Sequence, residues 1–357
     1  MTAKERSRSG PHVEPPFLAA CRRQSVPFTP VWLMRQAGRY MPEYRAVRDK
    51  VSFLELCKNP DLAAEVTVTA VDVLGVDAAI IFADILLIVE PFGVGLDFSK
   101  GHGPVIHHPV RTADAVHRLP ARVDVEGATG FVMEAIRRAR RELAGRSPRI
   151  PVIGFAGAPF TLASYLVDGH GSRSYLHTKQ LMYREPEAWH ALMTRLADAV
   201  AAYLQAQIAA GADAVQLFDS WVGCLAPDDY RTFVQPHTRR VIAALDPGVP
   251  VIHFGTGTAT LLELMRDAGG SVIGLDWRVD LGDAWRRLGA GVAVQGNLDP
   301  TVLFAEPAEI RRRAGVILGA AGGRPGHVFN LGHGVLVDTP VDHVRCLVDA
   351  VHELSAR

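Results

Sequence analysis

Short runs that are apolar almost throughout alternate along this chain with longer stretches that are apolar only at every third or fourth residue. The continuous runs are PVWLM (30–34), DAAIIFAD (77–84), PVIGFAG (151–157), DAVQLFD (213–219), VPVIHFG (249–255), SVIGLD (271–276), GVAVQGN (291–297) and HVFNLG (327–332). Strands apolar on both faces belong to a parallel sheet covered on both sides, because a strand with one wet face alternates instead. The amphipathic stretches predict helices over 60–74, 127–144, 186–210, 227–245, 258–268, 281–289, 307–319 and 340–354. Asn59-Pro60 and Thr339-Pro340 each set a capping residue before a proline, whose missing N–H costs nothing in a first helical turn. In the last stretch Val341, Val344, Val348, Val351 and Leu354 make an apolar stripe at helical spacing.

Eight strands alternating with eight helices predict an α/β fold, a single (β/α)8 TIM barrel with its active site at the C-terminal ends of the strands. An open doubly wound sheet competes with it, because strand order is not written in one sequence. The nucleotide-binding form of that sheet has little support. No Gly-x-Gly-x-x-Gly follows the first strand, and GTGTAT (255–260), after the fifth, lacks the third glycine. Two connections are long: 85–126 reads as a hairpin excursion, and 158–185 carries a short helix of its own. Long ordered loops in compact domains tend to serve function. No low-complexity linker interrupts the pattern, so residues 17–357 read as one barrel domain behind a flexible, Pro-punctuated tail, 1–16.

Charge changes the picture locally rather than globally. The chain carries 38 Lys+Arg against 38 Asp+Glu, so no net field draws it to nucleic acid or a membrane surface, and any anion site must be built from a few residues. A hydrophobic fraction of 48% is enough for a sizeable core. The first residues lack the apolar centre of a signal peptide, and no segment is apolar for long enough to span a bilayer. Cys21, Cys57, Cys224 and Cys346 stand far apart with no CxxC, against a disulfide framework or a structural zinc site and in favour of reduced, cytoplasmic thiols.

The strand exits collect the candidate chemistry: Arg35 and Arg39, Asp84, Tyr165, Asp219-Ser220, His253, Asp276, Asn297 and Asp299, then Asn330 and His333. Some N-terminal ends carry polar residues too, namely Asp77, Asp213 and His327. Arg35 and Arg39 are four apart, so a helical turn would set both on one face, with Gly38 allowing close backbone approach and Pro42 stopping further helix. Their planar forks suit a carboxylate or phosphate. Arg45 and Arg48 are as consistent with a solvated basic loop. Asp84 leaves an apolar run and needs a partner or a proton; it is either an N-cap or ion-pair residue, or a carboxylate facing N–H donors or a developing cation. Tyr165 packs at helical spacing from Thr161, Ser220 suits a helix cap, and His333 sits between glycines. His102, His107 and His108 cluster without the spacing of a metal site, and no Gly-x-Ser-x-Gly elbow occurs.

PVWLMRQAGRYMPEYR (30–45) resembles the N-terminal signature of the uroporphyrinogen decarboxylase family of porphyrin and haem biosynthesis, and GFAGAPFTLASYLVDG (154–169) resembles its second. LFDS (217–220), GNLDP (296–300) and FNLGHGV (329–335) follow in the family's order, and the likeness spans residues 17 to 355. The resemblance implies a homodimeric (β/α)8 barrel, without cofactor or metal, that removes CO2 from the four acetates of uroporphyrinogen III to give coproporphyrinogen III. It implies a substrate-binding loop of Arg35, Gln36, Ala37, Gly38 and Arg39, with Asp84, Tyr165, Ser220 and His333 as further contacts and Phe218, Tyr44 and Arg48 as additional ones. Asp219 stands where some members have Glu. Asp84, Arg35 and Arg39 are the implied catalytic residues. The proton donor is left open among the arginines, Asp84, His333 and water, since guanidinium is a poor acid.

Two other readings compete. Cobalamin-linked methyltransferases of the same barrel bind zinc through His-x-Cys, but HFG (253–255) puts Gly255 at the cysteine position. A tetrapyrrole-binding protein without catalysis needs the arginines but has no use for a charge-stabilising Asp84.

Overall fold

The computed structural model describes residues 14–99 and 103–357; the first thirteen residues of the expected tail and His102 of the histidine cluster lie outside the described residues. The strands are β1 (Ala79–Ile80), β2 (Leu96–Ser99), β3 (Gly103–Ile106), β4 (Val152–Gly157), β5 (Ala214–Asp219), β6 (Val251–Gly255), β7 (Val272–Gly274), β8 (Ala293–Gln295) and β9 (His327–Val328). Seven of them form one parallel sheet in the order β1-β4-β5-β6-β7-β8-β9, while β2 and β3 pair antiparallel as the expected hairpin. A doubly wound sheet reverses its strand order at a switch point. Here spatial order follows chain order without reversal, which removes that alternative.

The first expected strand, 30–34, is shorter than the pattern predicts. Only Val31 pairs, bridging Phe329 in parallel. The Phe329 N–H donates to the Pro30 carbonyl at 2.8 Å, and on the other side Asp77 N–H donates to the Val31 carbonyl at 2.8 Å. Pro30 has no N–H to extend a ladder, and the chain turns at Met34-Arg35 before further pairs form.

The helix register is close to that read from the sequence, with physical exceptions. The stretch 227–245 is two helices, Pro227–Phe233 and Gln235–Ala243, since Pro236 cannot donate within a continuing helix. The stretch 258–268 narrows to Leu262–Ala268. Pro42 opens a helix, Pro42–Arg48, rather than ending one. Pro16 likewise opens Pro16–Cys21, whose Phe17 and Ala20 are fully buried, so this helix begins at the last residue of the expected tail. The long connection after β4 holds Pro159–Asp168 and a second helix, Leu176–Arg184.

The sheet is sandwiched as its sequence demands: every residue of β4 and β6 is buried. Gln207, on the helix Pro186–Ala210, reaches in to grip β4, its Oε1 accepting Phe155 N–H at 2.8 Å and its Nε2 donating to Phe155 O at 2.9 Å. At the far end Asp77 accepts from Val31 N–H at 2.7 Å and from His352 Nε2 at 2.8 Å, clasping the C-terminal helix to the first segment. All four cysteines are free thiols. Among the described residues no helix is long and apolar enough to cross a membrane.

Candidate active site

Arg35 does not sit in the helical turn that its spacing from Arg39 predicts. It occupies the left-handed region, with φ of 61°, at the tip of a turn. A non-glycine residue there costs about 1 kcal/mol or more, so its neighbours must hold it. Gln36, fully buried, does so. Its Oε1 accepts Leu33 N–H at 3.1 Å and its Nε2 donates to Ala78 O at 3.1 Å, while Tyr40 O–H donates to its carbonyl at 2.7 Å. Asn330 Oδ1 accepts Met34 N–H at 3.2 Å and Leu331 N–H at 2.8 Å, tying the turn to the β9 exit. The Gln36 amide is thus spent on the protein's own backbone. Gly38 is needed because a side-chain carbon there would lie 2.9 Å from the Arg35 carbonyl oxygen.

The remaining arginines of this stretch divide. Arg39 is exposed, and its charge is felt at the Tyr44 hydroxyl. Arg45 braces the loop, donating to Arg39 O at 2.8 Å and Tyr40 O at 3.0 Å, and Arg48 donates to Val51 O. Tyr44 is buried against Phe82, ring centroids 5.5 Å apart.

Asp84 follows β1 in an Asx turn, its Oδ1 accepting Leu86 N–H at 2.8 Å. It is crowded by protein atoms yet keeps partial solvent access, the environment of a cleft floor. Burial pushes its carboxyl up to about 6, against the opposing pull of the Leu86 N–H and the Arg35 charge. Tyr165 lies on Pro159–Asp168 and stacks on Trp221 with centroids 4.0 Å apart. Burial first, and then the Asp84 charge, hold its phenol neutral, with Arg35 opposing. His333 is held below the ordinary imidazole value by burial and by Arg35, and so is neutral at pH 7. The Arg35 charge is therefore common to Asp84, Tyr165 and His333, and Asp84 in turn acts on Tyr165.

Ser220 adjoins Trp221 and caps no helix; its carbonyl accepts Thr256 O–H at 2.5 Å. Phe218, half-buried, meets Phe155 at 5.6 Å and Phe254 at 5.9 Å between centroids. Other exit residues are engaged by the protein itself. Asp219 is fully buried, its carboxyl raised by burial and facing Thr161 at 3.4 Å and His253 at 3.7 Å. Asn297 Nδ2 donates to Asp276 O and Val279 O, both at 2.8 Å, and Asp299 caps Pro300–Phe304. Among the described residues no group of three His, Cys, Asp or Glu side chains is arranged to hold a metal ion.

Residues 13–354 match the family model described as uroporphyrinogen decarboxylase. The chain belongs to the uroporphyrinogen decarboxylase family. It is therefore an enzyme, a carboxy-lyase. A relative named uroporphyrinogen decarboxylase from Sorangium cellulosum is 57% identical over 95% of this chain and 96% of its own. One from Carboxydothermus hydrogenoformans is 55% identical over 95% and 96%. Among solved structures, a methyltransferase from Methanosarcina mazei superposes with a TM-score of 0.75 at 21% identity, covering 94% of this chain and 97% of that one. A vitamin-B12-independent methionine synthase from Listeria monocytogenes gives 0.56 at 15%, over 94% and 100%. At those identities the likeness is one of fold.

In and beside these uroporphyrinogen decarboxylase motifs stand residues whose part in the site the sequence pattern left unassigned. Gly334 is one: a side-chain carbon there would fall 2.5 Å from Arg35 Cδ. Trp221 and Trp277 are others, each directly following an acidic or hydroxyl residue at a strand exit, a position that was itself the available signal.

Proposed function

We propose that this enzyme converts uroporphyrinogen III to coproporphyrinogen III by removing CO2 from its four acetates, without an external cofactor, as a cytoplasmic homodimer whose residues 17–357 form one complete (β/α)8 barrel. Barrel closure is supported by Val31, bonded toward β9 on one side and toward Asp77, ahead of β1, on the other. The substrate carries eight carboxylates, which accounts for arginines gathered at one mouth of a protein without net charge. The apolar faces of its methylene-linked pyrrole rings suit contact with the half-buried Phe82, Phe218 and Trp221.

The observation that carries this reading is a carboxylate, Asp84, set in an Asx turn at the β1 exit within reach of the Arg35 charge and acting on Tyr165, with burial raising its carboxyl. Losing CO2 from a pyrrole acetate needs an electron sink, and protonating a ring carbon makes the pyrrole its own. With its value at about 6, Asp84 keeps a proton in roughly a tenth of molecules at pH 7. Arginine holds its proton too tightly to give it, and His333 is neutral. Asp84 delivers the proton, and the carboxylate left behind faces the cation it has made and accepts the pyrrole N–H groups. The C–C bond breaks as its electron pair enters the ring, the exocyclic carbon takes up a proton, and the ring proton leaves, one net proton consumed per CO2. Arg35 and Arg39 hold substrate carboxylates, Gln36, Ala37 and Gly38 keep their loop in shape, and Tyr165, Ser220 and His333 contact the macrocycle. Anaerobic incubation of the purified chain with uroporphyrinogen III tests this: stepwise loss of four carboxyls supports it, and unchanged substrate refutes it.

A further inference from the structure

One arginine at the mouth belongs to none of the signatures read from the sequence. Arg278 follows β7, and its guanidinium carbon lies 3.9 Å above the centre of the Trp277 ring. Its Nη1 donates to Asp276 Oδ2 at 2.6 Å, with about half of its side chain exposed while that of Asp276 is 1% exposed. Asp276 also accepts Gly257 N–H at 2.6 Å and Arg278 N–H at 3.0 Å, so its charge is met by three donors and draws on only one nitrogen of the fork. Trp277 in turn stands edge-on to His333, with centroids 6.4 Å apart, so Arg278 is one aromatic ring removed from a residue of the candidate site. The same imidazole feels the charges of both Arg35 and Arg278.

A flat guanidinium, stacked on an aromatic face and pinned at one edge, is pre-organised, so little rotamer entropy is lost when its other edge takes a ligand. We propose that Arg278 is a further substrate-binding residue, which holds a peripheral carboxylate of the tetrapyrrole on the β7 side of the mouth while Arg35 and Arg39 hold others. This rests on the uroporphyrinogen reading above, and it adds a specificity contact rather than a catalytic one. A carboxylate–arginine pair open to solvent is worth less than a buried one, and its loss corresponds to about a three- to tenfold weaker interaction.

The test compares Arg278→Gln and Arg278→Lys with the unaltered enzyme, measuring kcat and KM for uroporphyrinogen III and the Kd of oxidised uroporphyrin III by fluorescence. The expected result is KM and Kd raised about three- to tenfold in the glutamine variant, partly restored by lysine, with kcat held within about twofold. Unchanged KM and Kd overturn the proposal. So does a loss in kcat alone accompanied by a lower thermal midpoint, which would make Arg278 only the partner of Asp276. Failure of the unaltered enzyme to decarboxylate would instead strike the reading beneath it.

Discussion

Gly334 and Arg35 give the sharpest link between packing and catalysis. A methyl group at residue 334 would lie 2.5 Å from Arg35 Cδ, 2.7 Å from Cγ and 3.0 Å from Nε. Ordinary carbon–carbon contact needs about 3.5–4.0 Å, so Gly334→Ala must displace the Arg35 side chain by roughly 1 Å. The arginine cannot absorb this by moving its backbone, which is locked at φ 61° by the Gln36 bonds. A misplacement of about 1 Å in a positioning group costs on the order of a hundredfold in rate, or about 2.7 kcal/mol of transition-state stabilisation. Steady-state kcat/KM for uroporphyrinogen III under anaerobic conditions should fall by that factor while the thermal midpoint changes little. In an Arg35→Ala background the same glycine substitution should cost almost nothing, because the clash has gone. Full activity in Gly334→Ala, or additive losses in the double variant, would refute the argument that this glycine exists to seat Arg35.

Other parts of the molecule give further expectations. Folding prefers protonated Asp84, whose value is raised to about 6, so its contribution is present at low pH and is lost as pH rises through that value. Asp84→Asn should therefore raise stability at pH 8 by about 1–2 kcal/mol in urea titration, discounted for its partial exposure; a destabilised variant would contradict the assigned shift. His352 is pulled down by burial but raised overall by Asp77, so the clasp stabilises below the unfolded histidine value and weakens as pH climbs through the higher folded one. Asp77→Asn should cost about 1–3 kcal/mol and flatten that dependence, since it weakens two bonds at once. Asp219→Asn should change stability by less than about 1 kcal/mol, because burial works against the charged carboxylate and the amide keeps its shape. A loss above about 3 kcal/mol would mark a charged pair with His253 instead.

Much of this could be read from the chain because burial on both faces leaves an unmistakable imprint. The apolar runs at 151–157 and 213–219 became β4 and β5 nearly residue for residue. What stayed hidden was set by contacts distant in sequence. Nothing local shows that the Gln36 amide is spent on Leu33 and Ala78, or that Asp219 faces His253. The spacing of Arg35 and Arg39 argued for a helical face, yet a left-handed residue held by Gln36 and Asn330 won over local propensity. Arg278 escaped notice because a lone exposed arginine has no pattern; its meaning comes from the Trp277 ring beneath it and the His333 edge beside it.

The central claim is that Asp84 is the acid and then the counter-charge for the pyrrole cation. Single-turnover decarboxylation of uroporphyrinogen III by Asp84→Asn and Asp84→Ala, with uroporphyrin III binding measured on the same samples, tests it most directly. The amide can donate and accept hydrogen bonds but can neither deliver the proton nor balance the cation. The predicted result is a fall of about a thousandfold or more in the first CO2-releasing step, with binding within a few-fold of the unaltered enzyme. Decarboxylation at the unaltered rate in Asp84→Ala would contradict the account outright.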